Sequence, residues 1–199
     1  MTVEQTSQAY GKRADEYIDV VGTMADTSPI DRDRIGAWAR DHSAGQILDV
    51  GCGPGQWTNW LHQQGIDVIG VDPTPEFLDR ARRDYPDARF VAGRAEALDF
   101  AGLSGILAWF SLIHTPPHEV PAILARFAGC LEPGGGLLLG FFEGPELVPF
   151  DHKIITAYYW PVDELSRVVS EAGFTVTGRF ARGEPPQRRQ GVITAIRCP

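Results

Sequence analysis

The sequence predicts an α/β protein built on a parallel sheet with helices on both faces. Two observations carry this. From residue 46 onward, short apolar runs alternate with amphipathic stretches. Strands that are apolar on both sides and separated by helices belong to covered, parallel sheets. The second observation is that Ile47-Leu48-Asp49-Val50 passes straight into Gly51-Cys52-Gly53-Pro54-Gly55, and then into a stretch with Trp57, Trp60 and Leu61. A buried strand, a glycine turn and a helix N-terminus make a seat for a small polar ligand. Side chains are absent there and backbone N–H groups point outward.

In chain order, Tyr10, Ala14, Tyr17, Ile18 and Val21 recur at spacings of three and four, which predicts a helix from about Glu4 to Val21. Ser28-Pro29-Ile30-Asp31 reads as a second helix start: Ser28 caps, Pro29 takes the first position, and Asp31 faces the backbone donors. Ile35 and Trp38 give that helix its buried side. Strands follow at 46–50, 67–71, 88–91, 105–110 and 136–142, with helices near 56–64, 75–84, 119–129 and 161–172. The last of these helices starts with Pro161 and stops at Gly173. Phe174–Thr177 and Gly191–Arg197 read as two final strands, with the turn Arg182–Gln187 between them. The longest irregular piece runs from Glu143 to Trp160 and is rich in aromatics.

A chain of 199 residues, 43% hydrophobic and 22% charged, suggests one globular domain. Its net charge of −8 disfavours phosphate backbones and anionic lipid as partners. The basic clusters Arg80–Arg83 and Arg188-Arg189 are short and read as solvated faces. The cysteines, Cys52, Cys130 and Cys198, stand far apart and show neither a disulfide framework nor a metal spacing. No metal is expected, and the reading is cytoplasmic. The first ten residues lack the pattern of a signal peptide, and the apolar runs are too short to span a membrane.

Gly51, Gly53 and Gly55 are spaced G-x-G-x-G, whereas a nicotinamide-dinucleotide fingerprint has its third glycine one place later. Asp72 ends the second strand and suits the hydroxyls of any ribose. Asp49–Gly55 followed by Gly70-Val71-Asp72 resembles the first two motifs of class I S-adenosylmethionine-dependent methyltransferases. The likeness continues through essentially the whole chain. Phe90–Leu98 resembles the third motif, Leu107–His114 the fourth strand with its trailing histidine, and Leu131–Gly136 the turn into strand five. Glu171–Phe174 resembles the lead into strand six. Tyr10, Arg13 and Tyr17 match the leading helix of the small-molecule branch.

That resemblance implies a Rossmann-like, doubly wound seven-stranded sheet of order 3-2-1-4-5-7-6 with the last strand antiparallel. The ligand would lie outside the carboxyl ends of strands one and four. The implied cofactor is S-adenosylmethionine, its amino-acid end over Gly51, Cys52 and Gly53. Asp49 would orient the amino group or only stabilise the turn, and Asp72 with Pro73 would meet the ribose. Ala95 and Glu96 would meet the adenine. Arg94 stands where family members often have Asp, so that contact would pass to Glu96 or a backbone carbonyl. Trp57 lies beside the ligand or in the core. Trp109, Phe110 and Ser111 end strand four near the adenine or the sulfonium. Tyr10 and Arg13 complete the cofactor set. A second departure, Ser104-Gly105, reads as a looser start to strand four.

The implied reaction is methyl transfer to an oxygen, nitrogen or carbon of a small molecule. His114 is the one candidate base, with loop capping as its alternative role. Tyr17, Tyr158 and Tyr159 are the candidates for touching substrate. The chain then divides into a helical cap (1–42), a cofactor-binding core (46–142), a possible substrate lid (143–160) and a C-terminal helix and strand pair (161–199). A monomer or homodimer is expected. A catalytically silent module of the same fold is the alternative. A nicotinamide-dependent oxidoreductase is disfavoured by the glycine spacing and the C-terminal strand pair.

Overall fold

The computed structural model describes residues 3–14, 16, 18, 23–183 and 188–199. The N-terminal part holds α1 (Val3–Gly11), a short 3-10 turn (Met24–Asp26) and α2 (Pro29–Asp41). Then come β1 (Ile47–Val50), α3 (Gln56–Gln63), β2 (Val68–Asp72), α4 (Pro75–Asp84), β3 (Arg89–Ala92), a 3-10 turn (Ala95–Ala97) and β4 (Leu103–Trp109). The rest is α5 (Val120–Cys130), β5 (Leu131–Glu143), β6 (Val148–Phe150), β7 (Ala157–Trp160), α6 (Val162–Glu171), β8 (Phe174–Arg182) and β9 (Gln190–Arg197).

β1 is an interior strand of the sheet. It is buried along its whole length and pairs in parallel with β2 on one side and β4 on the other. β3 extends the sheet beyond β2, and β5 extends it beyond β4. β9 then inserts antiparallel between β5 and β8. The order β3-β2-β1-β4-β5-β9-β8 is the expected one, with the chain's last strand as the antiparallel member. Strand order reverses between β1 and β4, so connections leave these two strands towards opposite faces and a crevice opens at their carboxyl ends.

Alternate side chains of the central strands feed two separate cores, as the two-residue period of a strand requires. Leu48, Val50, Ile106, Ala108, Leu137 and Leu139 face α5 and α6, where Ile123, Leu124, Phe127, Leu165 and Val169 pack. Ile47, Leu107 and Leu138 face the other way, onto Ile35, Trp38 and Ala39 of α2 and Trp57 and Leu61 of α3. In the leading segment, Ala14 and Ile18 bury against Phe77; Tyr17 and Val21 lie outside the described residues.

Strand four starts irregularly, as expected: the register slips between Leu103 and Gly105, while Ser104 is buried with its Oγ 2.6 Å from the His42 carbonyl oxygen. One local expectation needs correction. The segment 143–160 is not irregular throughout. β6 and β7 form an antiparallel hairpin, and β7 runs parallel to the end of β5 through Phe142↔Tyr159 and Glu143↔Trp160. β9 already occupies one edge of β5 as far as Phe142, and β4 leaves the other edge after pairing Trp109 with Gly140. β7 therefore takes the edge that β4 vacates. Among the described residues, no helix is long and apolar enough to cross a membrane.

Phe127 is fully buried at the centre of the larger core. Phe127→Ala is expected to lower the unfolding free energy by about 3–5 kcal/mol, read from urea denaturation midpoints with an unchanged slope.

Candidate active site

The site begins with backbone geometry. Gly51, Gly53 and Gly55 have φ of 71°, 56° and 88°, a region that side chains rarely allow. Gly51 and Cys52 both donate their N–H to the Val71 carbonyl, at 2.7 and 3.1 Å, which folds the turn back over β2. A Cβ at Gly51 would stand 2.3 Å from the Ser111 Cβ, so the turn and the end of β4 approach too closely for any side chain. At Gly53, by contrast, a Cβ would meet nothing within 4 Å. That open space belongs to the two cavities described below.

Asp72 locks this turn. Its Oδ2 accepts the N–H of Gly53 at 2.9 Å and its Oδ1 that of Thr74 at 2.8 Å. Burial raises its pKa, and these two hydrogen bonds pull it back down. Asp49, one strand away, accepts the Thr58 hydroxyl at 2.7 Å. Complete burial, only partly offset by Thr58, pushes Asp49 up to about 7.

Two cavities meet over the glycine turn, with Tyr10, Gly51, Gly53, Trp109 and Phe110 bordering both. The first, an open cleft, is also lined by Asp72, Pro73, Ala95, Glu96, Ser111 and His114. The Ser111 hydroxyl is buried there without a hydrogen-bond partner. α1 closes this cleft from outside: Ser7 Oγ donates to the Pro73 carbonyl at 3.2 Å, and the Tyr10 ring packs on Phe77 at 5.6 Å.

The second cavity is also bordered by Asp49, Cys52 and Trp57, and its far wall is Phe142 and His152. Its aromatic lining is continuous: ring centroids stand 6.3 Å apart for Trp57–Trp109, 5.3 Å for Trp109–Phe110 and 5.1 Å for Phe110–Phe142. Phe110 holds φ 55°, a strained conformation for a bulky residue, which turns the chain out of β4 at the point where the cavities join. Arg182 closes the other end of this cavity. It pairs with Asp31 and donates to Ser28 Oγ at 2.7 Å and to Gln190 Oε1. Burial raises the Asp31 pKa against the pull of Arg182.

His114 is buried and lines the first cavity. Its Nδ1 lies 2.8 Å from the Thr156 carbonyl oxygen and its Nε2 lies 2.8 Å from the Tyr10 hydroxyl. Burial holds its pKa below the ordinary value, with the Thr156 carbonyl acting in the opposite direction. The neighbouring His152 ring, 5.1 Å away, is pushed down to about 4, first by burial and then by His114, Arg188 and Lys153.

The structure thus gathers most of the expected residues around the two cavities. Four stand apart. Arg13 faces Glu16 and the Lys153 carbonyl on the exposed side, and Arg94 pairs with Glu4 at 2.9 Å. Tyr158 packs against the larger core, and Tyr159 stacks on Phe150 at 4.1 Å. None of these four lines either cavity; Tyr17 lies outside the described residues. Sequence reasoning did not single out Phe142 or the Asp31–Arg182 pair. Phe142 reaches the cavity because β5 outruns β4, which is a matter of sheet register. The ion pair joins residues 151 positions apart and left no local signal. Among the described residues no cluster of His, Cys, Asp and Glu suits a metal ion.

Comparisons with known proteins converge on one description. A family model described as a methyltransferase domain matches residues 47–135. An uncharacterized methyltransferase of Synechocystis is 33% identical over 151 residues, which cover 67% of this chain and 69% of that protein. One from Mycobacterium tuberculosis is 31% identical over 153 residues, covering 74% of this chain and 56% of that protein. Among solved structures, the 1,6-didemethyltoxoflavin-N1-methyltransferase of Burkholderia thailandensis was obtained with 1,6-didemethyltoxoflavin and S-adenosylhomocysteine bound. It aligns with a TM-score of 0.69 at 25% identity, over 96% of this chain and 89% of its own. The magnesium protoporphyrin IX methyltransferase of Synechocystis shares the fold, with a TM-score of 0.76 at 17% identity over 96% of this chain and 97% of its own.

The raised pKa of Asp49 has a consequence for stability. The folded protein keeps a proton that the unfolded chain releases between 3.8 and about 7, so stability falls as pH rises through that window. Asp49→Asn is expected to flatten this fall in thermal melts taken across the window. Asp31 and Asp72, both raised by burial, leave a weaker slope of the same sign.

Proposed function

The chain belongs to the class I S-adenosylmethionine-dependent methyltransferases, and we propose that the first cavity seats the cofactor and the second a small, flat methyl acceptor. The observation that carries this is the junction, at Tyr10, Gly51, Gly53, Trp109 and Phe110, of a cleft lined by Asp72 with a cavity walled by aromatic rings. S-adenosylmethionine supplies an electrophilic methyl group on a sulfonium. The residues present fit it. Asp72 keeps lone pairs for two ribose hydroxyls beyond the N–H groups it already accepts. Open space lies over Gly53 for the methionine end, and Ser111 has a hydroxyl to offer. Ala95 and Glu96 border the adenine end of the same cleft, and Asp49 stands behind the turn for the amino group.

The chain's task is then alignment. Holding nucleophile and methyl carbon in line supplies several kcal/mol, up to about 7–11 in ideal cases. Aromatic faces at Trp109 and Phe110 favour a cation close by. Phe142 and His152 grip the acceptor from the far side, and the 143–160 segment excludes water above it. A small acceptor is also what the Burkholderia relative takes. The reading keeps the protein in the cytoplasm as a monomer or homodimer, with no nucleic-acid partner; its free Cys52, Cys130 and Cys198 suit a reducing compartment.

Titration calorimetry tests the cofactor assignment. S-adenosylhomocysteine is expected to bind in the micromolar range and NAD is not. Asp72→Ala should weaken S-adenosylhomocysteine by at least about tenfold, or ~1.4 kcal/mol, with the circular dichroism spectrum retained. Binding of NAD alone would overturn the assignment.

A further inference from the structure

The hydrogens between Tyr10, His114 and Thr156 have one consistent arrangement. The Thr156 carbonyl only accepts, so His114 Nδ1, 2.8 Å away, carries a hydrogen. Burial favours the neutral imidazole, which leaves Nε2 as a bare acceptor. The Tyr10 hydroxyl, 2.8 Å from Nε2, is therefore the donor. The lone pair of His114 is spent on Tyr10 and is not turned towards an acceptor. The Tyr10 ring borders both cavities, and a phenol oxygen keeps accepting capacity after donating its hydrogen.

We propose that Tyr10 takes the proton of the methyl acceptor while passing its own to His114 Nε2, and that the acceptor is consequently an O–H or N–H compound. Tyr10 is then the catalytic residue and His114 acts through it. The proposal rests on the methyltransferase reading above. The bonds balance as follows. The X–H proton of the acceptor forms a new bond to Oη as the original Oη–H proton bonds to Nε2. The electron pair freed on X bonds the methyl carbon as the carbon–sulfur bond breaks, its pair remaining on a neutral thioether. One positive charge is thereby moved from sulfur to an imidazolium. The Thr156 carbonyl holds that imidazolium through Nδ1–H, and the proton returns to water through Tyr10 once the product leaves. The other imidazole nearby, His152, is a poor rival: it borders the second cavity, but its pKa is pushed down to about 4.

Two measurements test this. Nitrogen-15 NMR of ring-labelled histidine reads the tautomer without any acceptor. The expected result is Nδ1–H at His114, with the Nε2 resonance moving in Tyr10→Phe, which keeps the ring that packs on Phe77. An Nε2–H tautomer overturns the proposal whatever the turnover. Methyl transfer is then followed with catechol and xanthine as protic probes and with pyridine and dimethyl sulfide as aprotic ones. Turnover is expected in the protic set alone. Tyr10→Phe should lower kcat by ~10²–10⁴-fold, with S-adenosylhomocysteine affinity within about threefold of wild type, and His114→Asn should lower kcat with KM little changed. Methylation of the aprotic set, a wild-type kcat in Tyr10→Phe, or a change confined to KM overturns it. If no probe is turned over, the tautomer decides. A wild-type protein that does not bind S-adenosylhomocysteine defeats the methyltransferase reading instead, a result distinct from either outcome at Tyr10.

Discussion

The site depends on one buried carboxylate. Asp72 ends β2 and holds the N–H of Gly53 with one oxygen and that of Thr74 with the other. The glycine turn after β1 and the start of α4 are thereby fixed to each other and to the sheet. Neither segment has a side chain of its own that could do this. The turn has positive φ at Gly51 and Gly53, and Thr74 makes no side-chain cap to α4. A carboxylate taken out of water needs compensation, and two backbone donors supply it. The same oxygens keep lone pairs beyond these two bonds, and Asp72 also lines the first cavity.

A second constraint shapes the second cavity. β5 outruns β4, and its exposed edge would be left with unpaired backbone groups. The 143–160 hairpin covers that edge with β7. It is then held to the loop after β4 by two hydrogen bonds, Tyr158 N–H to the Ile113 carbonyl and His114 Nδ1–H to the Thr156 carbonyl. Phe142 and His152 are carried over the glycine turn as a result. Arg188 lies over the Phe150 ring at 4.9 Å and closes the aromatic group towards solvent. The segment expected to act as a lid is thus tied to the sheet through His114. The pinned His114 in turn meets the hydroxyl of Tyr10, one of the residues that border both cavities.

Much of this was legible in the residues. The strand order followed from the family resemblance that the motifs at Asp49, Asp72 and Leu107–His114 carry. The helices followed from spacing: Val120, Ile123, Leu124 and Phe127 lie on one face and all are buried. Arg13 and Arg94 were placed at the cofactor by position in a motif, yet each found an acid nearby, Glu16 and Glu4, and turned to the surface. Long charged side chains choose their partners by local geometry, and a motif position does not specify it. Tyr158 and Tyr159 went to the core and to Phe150 because they lie on a strand, whose alternation determines where side chains point.

The sequence by itself determined the parallel sheet, the glycine turn and the carboxylate that ends the second strand. These rest on local rules: two-residue and 3.6-residue periods, positive φ at glycine, and acids at strand ends. Only the tertiary structure decided which residues meet around the two cavities. Tyr10 meets His114 across 104 positions, and Arg182 meets Asp31 across 151. Such pairings depend on how far β5 runs past β4 and on where the hairpin lands. Those are consequences of sheet register and close packing, which no local pattern in the chain encodes.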